Sequence, residues 1–281
     1  MRTDRPATRA DTMSPMPAFR RLFVPLAAAV VLAACASKDP APAASGIPEA
    51  LPPPKAQEVT PHRRSEIHTE LGAGYYERGQ MDVAIDELTE ALKIEPNNAK
   101  AYNILGLVYT VMGEDAKAEQ NFQRALALAP LDPDIRQNWG WYLCTHGRAK
   151  ESIPEFEAAI RNPLYKTPEI PLVNAGRCSA SVGDINAADG YFRRALTLAA
   201  NNESAMLGLA QIAYREARHE EARRWLKAMR QANLPPIALY LGMCVERKLG
   251  DRQAESSYML QLRNRYPDAD ETKALATGTC E

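Results

Sequence analysis

His68–Asn98, HTELGAGYYERGQMDVAIDELTEALKIEPNN, and Tyr102–Asp132, YNILGLVYTVMGEDAKAEQNFQRALALAPLD, superimpose at a shift of 34 residues. Leu71, Gly72, Tyr75, Ala84, Leu88, Ala91 and Pro96 of the first coincide with Leu105, Gly106, Tyr109, Ala118, Phe122, Ala125 and Pro130 of the second. A period of this length denotes a stacked helix-turn-helix unit, one supersecondary element that cannot bury its apolar face alone. The small residues at Gly72 and Ala84 let the two helices of a unit approach, Tyr75 and Leu88 fill the space between units, and the proline ends the second helix.

This is the tetratricopeptide pattern. A third repeat starts near Pro133, with Trp139-Gly140, Leu143, Phe156 and Ala159. A fourth starts near Glu169, two residues late, with Gly176, Ala188, Phe192 and Ala195. The fifth starts near Glu203, with Leu209-Ala210, Ala222 and Leu226. The sixth is degenerate: Leu241-Gly242, Ala254 and Tyr258 fit, with a register open by one residue. The expected fold class is all-α, a right-handed superhelix of about six repeats over residues 65–267, with the first helix of each repeat lining the concave side. Residues 268–281 would form a C-terminal cap over the apolar face left open by the last repeat.

Upstream, the chain changes character. Arg20-Arg21 precedes the apolar run Leu22 to Ala34, and Cys35 follows. Basic, apolar, small, cysteine is the order of a signal peptide, residues 1–34. The apolar run of thirteen residues is too short for a spanning helix, which needs roughly 20. Leu32-Ala33-Ala34-Cys35 resembles the lipobox of bacterial lipoproteins, which implies that Cys35 is acylated and becomes the mature N-terminus. At about 0.8 kcal/mol per buried methylene, several acyl chains would hold the chain on a membrane. Ala36, where an aspartate would signal retention, implies delivery to the outer membrane. The residues before Met13 do not resemble an n-region, so Met1, Met13 and Met16 stand as alternative starts. Residues 35–64 are Ala- and Pro-rich without apolar period and read as a tether.

The formal net charge of -1 implies neither a polyanionic nor an acidic partner, and no nucleic-acid or small-molecule substrate is expected. The glycines of GAGYYERG (Gly72 to Gly79) lack the spacing and lysine of a phosphate loop. His62, His68, His146 and His219 are scattered without metal-ligand spacing, and no nucleophile elbow is present. The expectation is therefore no catalytic residue, no metal and no cofactor. With Cys35 lipidated, Cys144, Cys178, Cys244 and Cys280 remain, an even number that permits three pairings in an oxidising compartment or four buried thiols. Cys144 at position 12 and Cys178 at position 10 fall on first helices of neighbouring repeats; Cys244 lies on the sixth, and Cys280 in its cap. Positions 2, 5, 9 and 12 of each first helix form a stripe facing the groove. It supplies Asn103, Leu107, Thr110, Gln137, Trp141, Val173 and Arg177 as candidate partner-binding residues. Trp141 could anchor a partner, as tryptophans do at interfaces, or pack against a neighbouring repeat. Trp139, at a core position, is structural.

NWGWYLCTHGR (Asn138 to Arg148) and NPLYKTPEIPLVNAGRC (Asn162 to Cys178) resemble the type IV pilus biogenesis lipoproteins, the PilF/PilW-type pilotins. The resemblance takes in the lipobox, the six repeats and the two-residue insertion around Pro163-Leu164-Tyr165. It implies a non-enzymatic outer-membrane lipoprotein, anchored on the periplasmic face, that binds subunits of the pilus secretin and helps them localise and multimerise. It also implies a disulfide between Cys144 and Cys178, and leaves the tether and the Cys244/Cys280 pair without a counterpart. A general periplasmic scaffold of the same fold, recruiting a peptidase or peptidoglycan enzyme, is the alternative.

Overall fold

Thr60 caps the first helix. Its side chain accepts a hydrogen bond from the Arg63 amide, and Pro61 supplies the preset φ of a first helical residue, so α1 (Pro61–Glu77) begins here. Residues 61–64, expected in the tether, are thus the first turn of α1. The computed structural model describes residues 60–276, Gly278 and Cys280. The signal peptide, Cys35 and the tether up to residue 59 lie outside the described residues.

The described residues are all-helical: α2 (Met81–Ile94), α3 (Ala99–Met112), α4 (Asp115–Leu128), α5 (Pro133–Thr145), α6 (Ala149–Ile160), α7 (Glu169–Ser181), α8 (Ile185–Leu198), α9 (Glu203–Arg215), α10 (His219–Ala228), α11 (Pro236–Leu249), α12 (Arg252–Arg265) and α13 (Asp270–Ala274) follow in order. Each odd helix up to α11 pairs with the even helix after it as an antiparallel hairpin, giving six hairpins stacked in sequence. None of the helices is long and apolar enough to cross a membrane. Side-chain caps set the starts. Asn98, Asp132 and Asn202 close the connection into the next repeat by accepting from the amides of Ala101, Ile135 and Ala205. The tight turn inside a hairpin needs a left-handed residue, and Gly113 provides it at φ 73°; in the fifth hairpin Ala217 takes that place at φ 57°.

The repeat motif is a packing device. A Cβ on Gly106, Gly140 or Gly176 would lie 2.7, 2.9 or 2.7 Å from the ring of Phe122, Phe156 or Phe192 in the partner helix, closer than any real contact. The glycine lets the aromatic side chain lie flat between the two helices, where all three rings are buried. Removing such a ring typically costs about 3–5 kcal/mol. Gly242 meets Tyr258 at 2.7 Å in the same way, which fixes the register of the sixth repeat. In the fifth repeat Ala210 and Leu226 take the motif positions, and Gly208 packs backwards instead, 2.4 Å from Phe192 of the fourth. Phe192 is therefore held between glycines of two successive repeats. An ion pair to a buried carboxylate closes the next junction: Arg223 Nε of α10 donates to Glu246 Oε1 of α11 at 3.0 Å.

α13 and the residues after it cover the last hairpin. Leu275 and Cys280 pack on the apolar cluster of α11 and α12, and Thr272 Oγ1 donates to the Tyr266 carbonyl at 2.6 Å.

Candidate functional site

Successive odd-numbered helices from α1 to α11 touch one another, whereas the even-numbered helices make no comparable contact among themselves. The odd helices accordingly line the tighter, inner side of the curve. Two disulfides pin that side. Cys144–Cys178 ties α5 to α7 with a Cα–Cα distance of 5.8 Å, and Cys244–Cys280 ties the C-terminal segment to α11 at 5.6 Å. The four cysteines are thereby paired in the structure.

The seven stripe residues separate into two groups. Asn103 and Val173 are each only 5% exposed. Asn103 Oδ1 accepts from Asn138 Nδ2 at 3.3 Å, joining α3 to α5, and Val173 belongs to the cluster of Leu172, Phe192 and Leu209. Both were expected to contact a partner; instead they pack into the contacts between neighbouring repeats, whereas Gln137, at the same position of its own helix, does not. Thr110, half-buried, donates back to the Gly106 carbonyl at 2.7 Å. Leu107 and Trp141 are half-buried, Leu107 against the cluster of Phe122 and Trp139, Trp141 against that of Phe156 and Cys178. Gln137 is half-exposed and Arg177 exposed. Trp139 is core: it stacks on Tyr142 with centroids 5.3 Å apart and tilts against Phe122.

Farther along the same side the inner face opens. A cavity of about 190 Å³ lies between α7 and α9, lined by Arg177, Ser181, Gln211 and Arg215 over the Phe192 ring edge and Gly208. A second, of about 230 Å³, continues from Gln211 and Arg215 to α11, where Tyr214, Ile237, Tyr240 and Leu241 wall it and Cys280 closes its end. The two share Gln211 and Arg215 and form one trough along α9. Burial raises the Tyr214 phenol above its ordinary pKa, so it stays a hydrogen-bond donor, and it donates to the Cys280 carbonyl at 3.0 Å.

Family models for the tetratricopeptide repeat match residues 72–113, 99–132 and 180–235, the spans of the hairpins just described. The chain is a tetratricopeptide-repeat protein. It is 29% identical over 203 residues to the type IV pilus assembly protein PilF of Pseudomonas aeruginosa, covering 72% of this chain and 81% of that one. The crystal structure of PilW, a widely conserved type IV pilus biogenesis factor, superimposes with a TM-score of 0.70 at 29% identity, over 75% of this chain and 98% of PilW. The structure of P. aeruginosa PilF superimposes equally well, TM-score 0.70 at 27% identity, over 78% of this chain and 99% of PilF. The chain is homologous to these two proteins.

Sequence reasoning stopped the tetratricopeptide stripe at the fourth repeat and so missed most of the trough. The signal was available: counted from Glu203, Gln211 and Tyr214 are positions 9 and 12 of the fifth repeat. What the count could not supply is that Gln211 and Arg215 of α9 border space on two sides, towards α7 and towards α11 and Cys280.

Proposed function

We propose that this chain is an outer-membrane lipoprotein of the pilotin type, which binds subunits of the type IV pilus secretin and promotes their localisation and multimerisation during pilus biogenesis. The observation that carries the reading is the likeness to PilF and PilW over nearly the whole length of both. It is supported by Leu32-Ala33-Ala34-Cys35, which has the composition of a lipidation site upstream of a proline-rich spacer. In this reading Cys35 carries the anchor, the tether sets the reach, and the repeat array is a rigid, non-catalytic surface. Rigidity matters because an array that is already ordered loses little entropy when a flexible partner docks. Leu107 and Trp141 serve as apolar anchors on the inner face, with Gln137 and Arg177 beside them.

Deletion of the gene, complemented with the wild type or with Cys35→Ser, tests the proposal when secretin multimers and their membrane fraction are measured. The expected result is loss of outer-membrane multimers in the deletion strain, restored by the wild type and not by Cys35→Ser. Normal multimers in the deletion strain would overturn it, and unchanged fractionation of Cys35→Ser would remove the anchor.

A further inference from the structure

We infer that the trough along α9 is a docking site for an extended segment of a partner protein that carries an acidic side chain next to an apolar one. The inference rests on the reading that this protein works by binding protein segments, and adds the place and the chemistry.

Three observations carry it. The first is electrostatic. Among the described residues, neither cavity is lined by a carboxylate, while Arg177 and Arg215 enter from α7 and α9. Neither guanidinium makes an ion pair or hydrogen bond among the described residues, although most arginines nearby are paired, as Arg193 is to Asp189, Arg218 to Glu221 and Arg223 to Glu246. Two unneutralised cations over a low-dielectric floor create a local positive potential that a carboxylate would satisfy through charge-assisted hydrogen bonds. The second is shape and polarity. Beyond the cations the walls turn apolar, with Ile237 42% exposed and Leu241 at the base, so an apolar side chain next to the acidic one has a surface to cover.

The third is that the far end of the trough already holds peptide. The C-terminal segment, pinned by Cys244–Cys280, presents its carbonyls to the inner face. Tyr214 Oη donates to the Cys280 carbonyl at 3.0 Å and Arg247 Nη1 to the Gly278 carbonyl at 2.8 Å. Side-chain donors from α9 and α11 thus hold the backbone of this segment next to the cavity that Cys280 closes, and the open space beyond it is lined by Gln211 and the two arginines. The donors left over there, Gln211 and the two arginines, are suited to a further carbonyl and a carboxylate.

Fluorescence anisotropy of the full-length protein in detergent tests this. The probes are a fluorescein-labelled, C-terminally amidated peptide Gly-Ser-Leu-Asp-Ser-Leu-Asp-Ser-Gly and its counterpart with Asn for Asp. The acidic peptide is expected to bind more tightly by about tenfold or more, the scale of a charge-assisted contact. The double variant Arg177→Gln, Arg215→Gln should lose that preference while its thermal unfolding stays unchanged, since neither side chain holds the fold together. Absence of acidic-peptide binding, equal binding of the two peptides, or a preference that survives in the double variant would overturn the inference. A secretin fragment is titrated in parallel. Secretin binding without acidic-peptide binding sinks the trough and leaves the pilotin reading intact; acidic-peptide binding lost in the double variant, with no secretin binding in either protein, does the reverse.

Discussion

Removing the bridge between α5 and α7 by the double substitution Cys144→Ala, Cys178→Ala should lower stability by an amount set by the chain it closes. The two cysteines are 34 residues apart in sequence. The loop-closure relation for a cross-linked unfolded chain then gives about 12.6 cal/mol/K, or about 3.8 kcal/mol at 25 °C. Alanine is the better replacement because Cys178 is fully buried, and a serine hydroxyl there would add an unsatisfied polar group. For a folded unit of this size each kcal/mol moves the midpoint by about 2–4 °C, so a fall of roughly 8–15 °C is expected. Differential scanning calorimetry of the oxidised wild type, the reduced wild type and the double variant separates the contributions. The reduced protein keeps both sulfur atoms in place, so its loss reports the cross-link, and the further loss in the double variant reports packing. Only the second bridge confounds the reduced sample, and Cys244→Ala, Cys280→Ala measured alongside removes that. A double variant melting within about 2 °C of the oxidised wild type would refute the assignment of this stability to the unfolded chain.

Gly208→Ala would drive a methyl to 2.4 Å from the Phe192 ring, which Gly176 confines from the other side at 2.7 Å; a loss of about 1–3 kcal/mol in urea unfolding is expected, and a neutral result would mean the ring can yield. Trp141→Ala should cost about 2 kcal/mol of stability, less than a fully buried aromatic, and about thirtyfold in secretin affinity; full binding by the folded variant would confine Trp141 to packing. The hydrogen bond to Glu95, then the charges of Glu95 and Glu66, hold His62 above its ordinary pKa near 6.5. Its contribution is therefore present below that value and lost as pH rises through the raised one. An NMR titration should show the His62 midpoint falling in Glu95→Gln, and an unmoved midpoint would exclude the pair as its cause.

The repeat, its period and its core were written in the order of residues. A glycine sixteen residues ahead of a large apolar side chain, recurring from repeat to repeat, sets a missing Cβ opposite that side chain once the second helix turns back on the first. Helix starts at Asn98, Asp132 and Asn202 were equally local, since a cap acts within its own turn. Which stripe residues remain accessible was not local. Asn103, Leu107 and Val173 sit on one stripe by counting, yet curvature brings successive odd helices so close that Asn103 and Val173 are sealed while Leu107 stays half open. The trough depends on still more distant terms: Gly208 meeting a ring of the preceding repeat, and Cys280 returning 36 residues to close the end against Cys244. Periodicity fixes what each helix offers to its partner, whereas the space left over depends on how small inter-repeat rotations accumulate, and those are set only when all the side chains are packed together.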